Sequence, residues 1–247
     1  MSAVRVAVVG AYGRMGQAIC AAVDSSDDLA VVARIGSCDD LGVLASADVT
    51  VDVTRPDAVL ATIGRAVELG THVVVGTSGM DGERLDVVRG LLGADPRVGV
   101  LVAPNFLFGV VLAMRFAAQA ARHFESVEVV EMHHPDKVDA PSGTARRTAQ
   151  LIAEAREQAG LGVVPDATGA DGAPARGVDV DGVPVHALRV RGLTASQEVL
   201  LGGVGETLSI RHDSHDRAAF MPGVLAAVRA VPSMPGLTVG LDTVLGL

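Results

Sequence analysis

The stretch Val4-Arg5-Val6-Ala7-Val8-Val9-Gly10-Ala11-Tyr12-Gly13-Arg14-Met15-Gly16 decides how this chain is read. A β-branched run stops at Gly10, and a helical pattern follows at once, from about Met15 to Val23. Glycines in that context let the backbone turn tightly and come close to a pyrophosphate. The helix start adds N–H groups and the positive end of its dipole. The spacing GxxGxxG is a variant of the common dinucleotide fingerprint, and an ordinary glycine turn before a helix looks much the same. Flanking sequence has to separate the two readings. Gly10, Ala11, Tyr12, Gly13, Arg14 and Met15 are the candidate cofactor residues of this turn.

The flanking pattern favours the dinucleotide reading. Apolar runs at Leu29–Ile35, Val49–Val53, Val73–Gly76 and Val98–Ala103 alternate with helical patterns at Pro56–Leu69 and about Glu83–Leu92. Continuous apolar strands separated by helices predict a parallel sheet covered on both faces, with ligands at the carboxyl ends of its strands. Three of those ends carry small or polar loops: Thr54-Arg55-Pro56, Gly76-Thr77-Ser78-Gly79 and Ala103-Pro104-Asn105-Phe106. Each alone is ordinary turn chemistry. Together with the first glycine turn they predict four loops on one sheet edge. Gly76, Thr77, Ser78, Ala103, Pro104, Asn105 and Phe106 therefore join the candidate cofactor set.

Beyond Pro104 the texture changes. The pattern predicts a helix over Val110–Arg122, a strand over Val127–Met132, a helix over Ser142–Gln158 and a Gly/Pro/Asp-rich loop from Gly160 to Gly182. Three strands follow at Val185–Arg191, Gln197–Gly202 and Glu206–His212, expected to be antiparallel with short turns. A helix near Ala218–Ala230 and a short tail close the chain. The expected fold class is an α/β Rossmann-type dinucleotide-binding domain plus an α+β domain with a mixed or antiparallel sheet.

Composition narrows the function classes. The chain has 247 residues, 49% apolar but only 2% aromatic, so its core is built from Val, Leu, Ala and Ile. A formal net charge of -9 argues against a nucleic-acid or anionic-membrane binder. An anionic ligand would then need a local basic site. Cys20 and Cys38 lack metal-ligand spacing and suit a reducing compartment. Without a signal-peptide pattern or a spanning apolar run, the expectation is a cytoplasmic protein.

Chemistry is densest at Glu131-Met132-His133-His134-Pro135-Asp136-Lys137-Val138-Asp139-Ala140-Pro141-Ser142-Gly143-Thr144. Two histidines and a lysine lie between a predicted strand and a predicted helix. Ser142 reads as an N-cap, and Gly143 and Thr144 bring backbone N–H groups to the helix start. His134 and Lys137 add charge, giving a carboxylate pocket with groups able to supply a proton. A solvated polar loop is the plainer alternative. Adjacent histidines without a third ligand at helical spacing do not make a metal site, so none is expected. His212 and His215 are read as loop or helix-start residues.

The run Glu-x-His-His-x-x-Lys-x-Asp-Ala-Pro-Ser-Gly-Thr-Ala, here Glu131 to Ala145, resembles the signature of the dihydrodipicolinate reductase family. The GxxGRMG turn, Asp-x-Thr-Arg-Pro, Gly-Thr-x-Gly and Ala-Pro-Asn-Phe match in order, and Gly205–Leu208 and Arg211–Ser214 also fit. The resemblance covers essentially the whole chain. It implies reduction of (2S,4S)-4-hydroxy-2,3,4,5-tetrahydrodipicolinate with NADPH or NADH, in diaminopimelate and lysine synthesis, by a homotetramer. The domains would be residues 1–106 with 216–247 for the cofactor, and 107–215 for substrate and tetramerisation. By match to the motif, His133 would be the proton donor and Lys137 a second donor and charge partner. His134, Ser142, Gly143, Thr144 and Ser78 would bind the dicarboxylate substrate.

Three positions depart from the family pattern: Ser78 for a second Thr, Asp136 where some members have His, and Val53 for a usual Phe. Asp136 is expected to place negative charge close to Lys137. Two other classes compete: a catalytically silent nicotinamide-sensing regulator, and a dehydrogenase of an amino acid or sugar. The intact His133, His134 and Lys137 set speaks against the first, and the Ala140–Thr144 cradle against the second. For the cofactor, no carboxylate follows the second strand until Asp39 and Asp40, whereas Arg34, Ser37 and Arg14 are groups that hold a 2′-phosphate. NADPH is expected to serve at least as well as NADH.

Overall fold

A computed structural model of the chain describes residues 3–169, 172 and 175–247. The chain divides into two compact units, Met1–Phe108 with Arg217–Leu247, and Gly109–Asp216.

The first unit carries β1 (Val4–Val9), α1 (Arg14–Asp24), β2 (Leu29–Ile35), β3 (Val49–Asp52), α2 (Val59–Glu68), β4 (His72–Val75), α3 (Gly82–Leu92) and β5 (Gly99–Val102). Its last segments are α6 (Met221–Ala230) and β11 (Gly236–Val239). The strands form one parallel six-stranded sheet in the order β11-β5-β4-β3-β1-β2. Alternate residues explain the two covered faces. Ala7, Val9, Val73, Val75, Val100 and Val102 share a core cluster with Val59 and Ile63 of α2 and Val88 of α3. Val6, Val8, Val74 and Leu101, pointing the other way, are equally buried, as are Ile19 of α1 and Val224 of α6. With β1, β3, β4 and β5 side by side and parallel, their carboxyl ends lie on one edge, so the four expected loops do share it.

The tail expected after the last helix contains a sixth strand, β11, paired parallel with β5. Its short Gly-Leu-Thr-Val sequence has no periodicity of its own; pairing with the sheet edge makes it a strand. The helix expected from Pro56 starts at Val59 instead, after a turn in which Ala58 and Val59 N–H donate to the Arg55 carbonyl. Similarly, a 3₁₀ turn at Arg217–Phe220 precedes α6 where one helix was expected.

The second unit carries α4 (Phe108–Ala121), which begins at the unit boundary, β6 (Ser126–His133), α5 (Gly143–Gln158), β7 (Val178–Val180), β8 (Val183–Arg189), β9 (Ala195–Gly203) and β10 (Glu206–Ser214). These strands form a mixed sheet in the order β10-β9-β6-β8-β7. The strands β8, β9 and β10 alternate in direction, as the sequence predicts, but they are not consecutive neighbours in the sheet. β9 and β10 pair as an antiparallel hairpin, but β6 lies between β9 and β8, antiparallel to the first and parallel to the second. β6 is buried at alternate positions along most of its length, and only a central place in the sheet satisfies both of its backbone edges. Strand β7 lies inside the stretch expected to be loop. Val127, Val129, Val185, Val199 and Leu201 form the core with Ala145, Ala149 and Ile152 of α5 and Ala117 and Ala121 of α4.

Candidate functional site

In the first unit the candidate residues sit at the carboxyl edge of the sheet. Gly10 ends β1 with φ +85°, a left-handed conformation that disfavours other residues. A Cβ there would stand 2.8 Å from the Val53 carbonyl oxygen, and one at Gly16 would stand 2.1 Å from the Gly10 oxygen and 2.6 Å from Ala11 Cα. The turn and helix α1 therefore touch backbone to backbone. Gly13 is the N-cap of α1, and no side chain caps it. The first-turn amides are left to water or to an anion. Tyr12 and Arg14 are exposed, and Met15 is half-buried. A diphosphate group fits this cradle.

Neighbouring loops are braced from below by Asp52, the fully buried first residue of the Asp-x-Thr-Arg-Pro run, to which the sequence alone assigns no role. Its Oδ1 accepts from Thr54 N at 3.1 Å, Thr54 Oγ1 at 2.8 Å and Thr77 Oγ1 at 2.6 Å. The Thr77 hydroxyl is thus turned into the protein, leaving its backbone and the exposed Ser78 to line the edge. Phe106 is buried with its ring against Gly76, and Val53 is close by. Asn105 Oδ1 accepts from Leu107 N at 2.9 Å and shapes the loop after β5, where Ala103 is buried and Pro104 exposed.

Two residues at the end of β2 differ from expectation. Arg34 carries its guanidinium to Asp24, the last residue of α1, at 2.6 Å. Because α1 runs back against the strands, that draws the charge away from the carboxyl edge. Asp39 instead folds back to accept from Gly36 N at 2.7 Å, beside the Tyr12 ring. A carboxylate does occupy the end of β2, three positions later than counting places it.

In the second unit His133 ends β6, and Glu131 precedes it on the same face. Glu131 is fully buried. Its Oε2 meets His133 Nδ1 at 2.5 Å and accepts from Arg189 Nη1 at 2.8 Å; its Oε1 accepts from Arg189 Nη2 at 2.8 Å and Ser142 N at 3.1 Å. Burial drives the Glu131 carboxyl upward, but the hydrogen bonds from Arg189 and His133, with their charge, outweigh it and leave it below the ordinary glutamate value. Burial likewise pushes the His133 imidazole below its ordinary value, and the bond and charge of Glu131 only partly oppose this. Arg189 also donates to the Asp139 carbonyl at 2.7 Å, tying down the loop after His133.

Lys137 Nζ contacts Asp139 Oδ1 at 2.7 Å, and that bond holds the Asp139 carboxyl below its usual range. The expected partner Asp136 is 96% exposed and lies 3.9 Å from His134 Nδ1 instead. The negative charge facing Lys137 comes from Asp139. Ser142 caps α5, its hydroxyl accepting from Ala145 N at 3.2 Å. Gly143 is exposed at the helix start with open space around it, and Thr144 is half-buried one residue later. His133, His134, Lys137, Ser142, Gly143 and Thr144 are thus gathered around one strand end and one helix start. Ser78 belongs to the other unit. Sequence reasoning missed Arg189, 58 residues from Glu131, because no local pattern marks a long-range ion pair.

Two family models, "Dihydrodipicolinate reductase, N-terminus" and "Dihydrodipicolinate reductase, C-terminus", match residues 4–106 and 109–245. The chain belongs to the dihydrodipicolinate reductase family. It is 59% identical over 99% of both chains to the 4-hydroxy-tetrahydrodipicolinate reductase of Nocardia farcinica, and 56% identical over 99% of both to that of Cutibacterium acnes. A dipicolinate-bound dihydrodipicolinate reductase from Paenisporosarcina sp. TG-14 is 34% identical, with a TM-score of 0.83 over 98% of this chain and 99% of that one. The apo scyllo-inositol dehydrogenase of Lactobacillus casei, at 12% identity and a TM-score of 0.59 over 96% of this chain and 91% of that one, shares the fold alone. The family's chemistry is that of an oxidoreductase, and a Rossmann-like unit implies a nicotinamide cofactor. Among the described residues no helix is long and apolar enough to cross a membrane.

Proposed function

We propose that this chain reduces 4-hydroxy-tetrahydrodipicolinate in diaminopimelate and lysine synthesis, the first unit holding the cofactor and the second the substrate. The observation that carries this reading is the match of both halves to one reductase family, with the whole Glu131–Ala145 signature in place. Substrate, reduced cofactor and one proton give tetrahydrodipicolinate, water and oxidised cofactor. The nicotinamide, when bound, supplies the hydride. Gly10–Met15 hold its diphosphate, while Gly76–Ser78 and Ala103–Phe106 line the rest of the cofactor. His133 delivers the proton, and Lys137 opposes the negative charge that hydride addition to a conjugated C=N system builds. The α5 start at Ser142–Thr144 and His134 take the carboxylates. In the ligand-free protein His133 is biased toward its neutral form, and a dianionic substrate raises its proton affinity when it binds.

Both NADH and NADPH are proposed to serve. Asp39 suits a ribose 2′-hydroxyl, whereas Arg14 and Ser37 offer charge and a hydroxyl to a 2′-phosphate. A homotetramer in the cytoplasm is proposed as the working form, assembled on the sheet face opposite α5, where Leu188 and Leu200 are exposed. Light scattering at micromolar concentration tests it; a monomer refutes it. The function is tested by following NADH or NADPH absorbance with substrate formed in situ from pyruvate and aspartate semialdehyde. Oxidation dependent on both precursors is expected. Cofactor oxidation that ignores them overturns the assignment.

A further inference from the structure

We infer that Glu131 is a positioning residue: it holds the His133 ring through Nδ1–H, so that Nε2 is the nitrogen that exchanges a proton with the substrate. The inference rests on His133 being the proton donor. Its geometry is independent of that. Four contacts converge on one fully buried carboxylate: Arg189 twice, Ser142 N and His133 Nδ1. An ionised carboxylate only accepts, so Nδ1 must carry hydrogen in both the neutral and the protonated ring. The fork from Arg189 keeps Glu131 ionised without help from the histidine. The same carboxylate then keeps one tautomer through the cycle, and Nε2 alone gains and loses the proton.

The charged groups around the ring are few. Glu131 lies on its own strand, Arg189 on β8, and Lys137 and Asp139 in the following loop. On β9 the register partner is Ala195, which is uncharged. Glu131 and Asp139 favour the imidazolium, whereas Arg189 and Lys137 oppose it. Removing the Glu131 charge therefore leaves Asp139 alone against two cations and makes the ring harder to protonate.

A purely structural role for Glu131, bracing β6 against β8 and the start of α5, is the competing account. Long-range ¹H–¹⁵N correlation spectra of the wild-type protein, without ligand, read the His133 tautomer directly. Nδ1–H in the neutral ring is expected; Nε2–H overturns the inference, and no variant is needed. In Glu131→Gln the amide oxygen can still accept from Ser142 N and Arg189 Nη2, but its NH₂ then faces His133 Nδ1 and gives up the bond to Arg189 Nη1. The tautomer should switch to Nε2–H, and kcat/KM should fall about 10²–10⁴-fold, the range for losing a correctly held proton donor. The high-pH limb of kcat/KM should move about one unit lower, because the acid form is lost sooner when a neighbouring anion is removed. NADH affinity by fluorescence should hold. A Glu131→Gln protein with lowered melting temperature but an unmoved tautomer and pH limb overturns the positioning role. His133→Gln with normal turnover, beside an Nδ1–H wild-type ring, would instead sink the proton-donor reading and leave the tautomer assignment standing.

Discussion

The candidate sites of the two units are built by opposite means. In the first unit the carboxyl edge of the sheet is shaped by missing atoms: Gly10 and Gly16 leave room for backbone to meet backbone, and α1 starts without a side-chain cap. In the second, the site is crowded with side chains, and Glu131, Arg189, His133, Lys137 and Asp139 neutralise one another around one strand end. The first kind of site is damaged by adding a methyl group, the second by removing a charge. Cofactor binding needs an open cradle of N–H groups that any nicotinamide dinucleotide can enter. Proton delivery to a dianion needs titratable groups at fixed positions and with matched charge.

The contrast can be broken by experiment. The largest effect is expected from His133→Gln: kcat lower by about 10²–10⁴-fold with unchanged NADH affinity, read by steady-state kinetics and fluorescence titration. Turnover near wild type would mean that the crowded half does not supply the proton. Next comes Gly16→Ala. Its Cβ falls 2.1 Å from a backbone oxygen, and the strain should destabilise the first unit by about 3 kcal/mol and abolish tight cofactor binding. A native melting temperature with intact NADH binding would show that the turn can open, and that its glycines are not what shapes the cradle. Lys137→Ala should weaken dipicolinate about tenfold or more, as expected for losing one charged hydrogen bond, while the cofactor affinity stays put. Unchanged inhibition would show that Lys137 does not face the bound dicarboxylate.

The smallest effect sharpens the cofactor half. Arg34→Ala should leave NADPH affinity unchanged, since its guanidinium is engaged with Asp24. Asp39→Ala should raise NADPH affinity several-fold relative to NADH, because an anion near a 2′-phosphate repels it by about one kcal/mol at surface dielectric and screening. The opposite pattern would restore Arg34 as the 2′-phosphate group and make Asp39 a loop brace only.

What the sequence determined by itself is what local chemistry encodes. The apolar runs at Val4–Val9 and Leu29–Ile35, the glycine turn, and the helix over 143–158 behind its Ser142 cap follow from residue-to-residue patterns within a dozen positions. The Glu131–Ala145 signature was legible for the same reason, because its functional groups are contiguous. The tertiary structure decided everything that depends on partners distant in the chain. It inserted β6 between β8 and β9, where neighbouring sequence suggested a simple meander. It made a strand of Gly236–Val239 by offering it the edge of β5. It brought Arg189 of the neighbouring strand β8 to Glu131, and even among near neighbours the folded geometry decided the pairing, giving Lys137 to Asp139 rather than Asp136 and Arg34 to Asp24 rather than the carboxyl edge. A hydrophobic period reports which face of an element is buried. It carries no information on which strand lies beside it or which of several nearby charges comes within 3 Å, because those depend on strand order and side-chain reach, which exist only once the chain has folded.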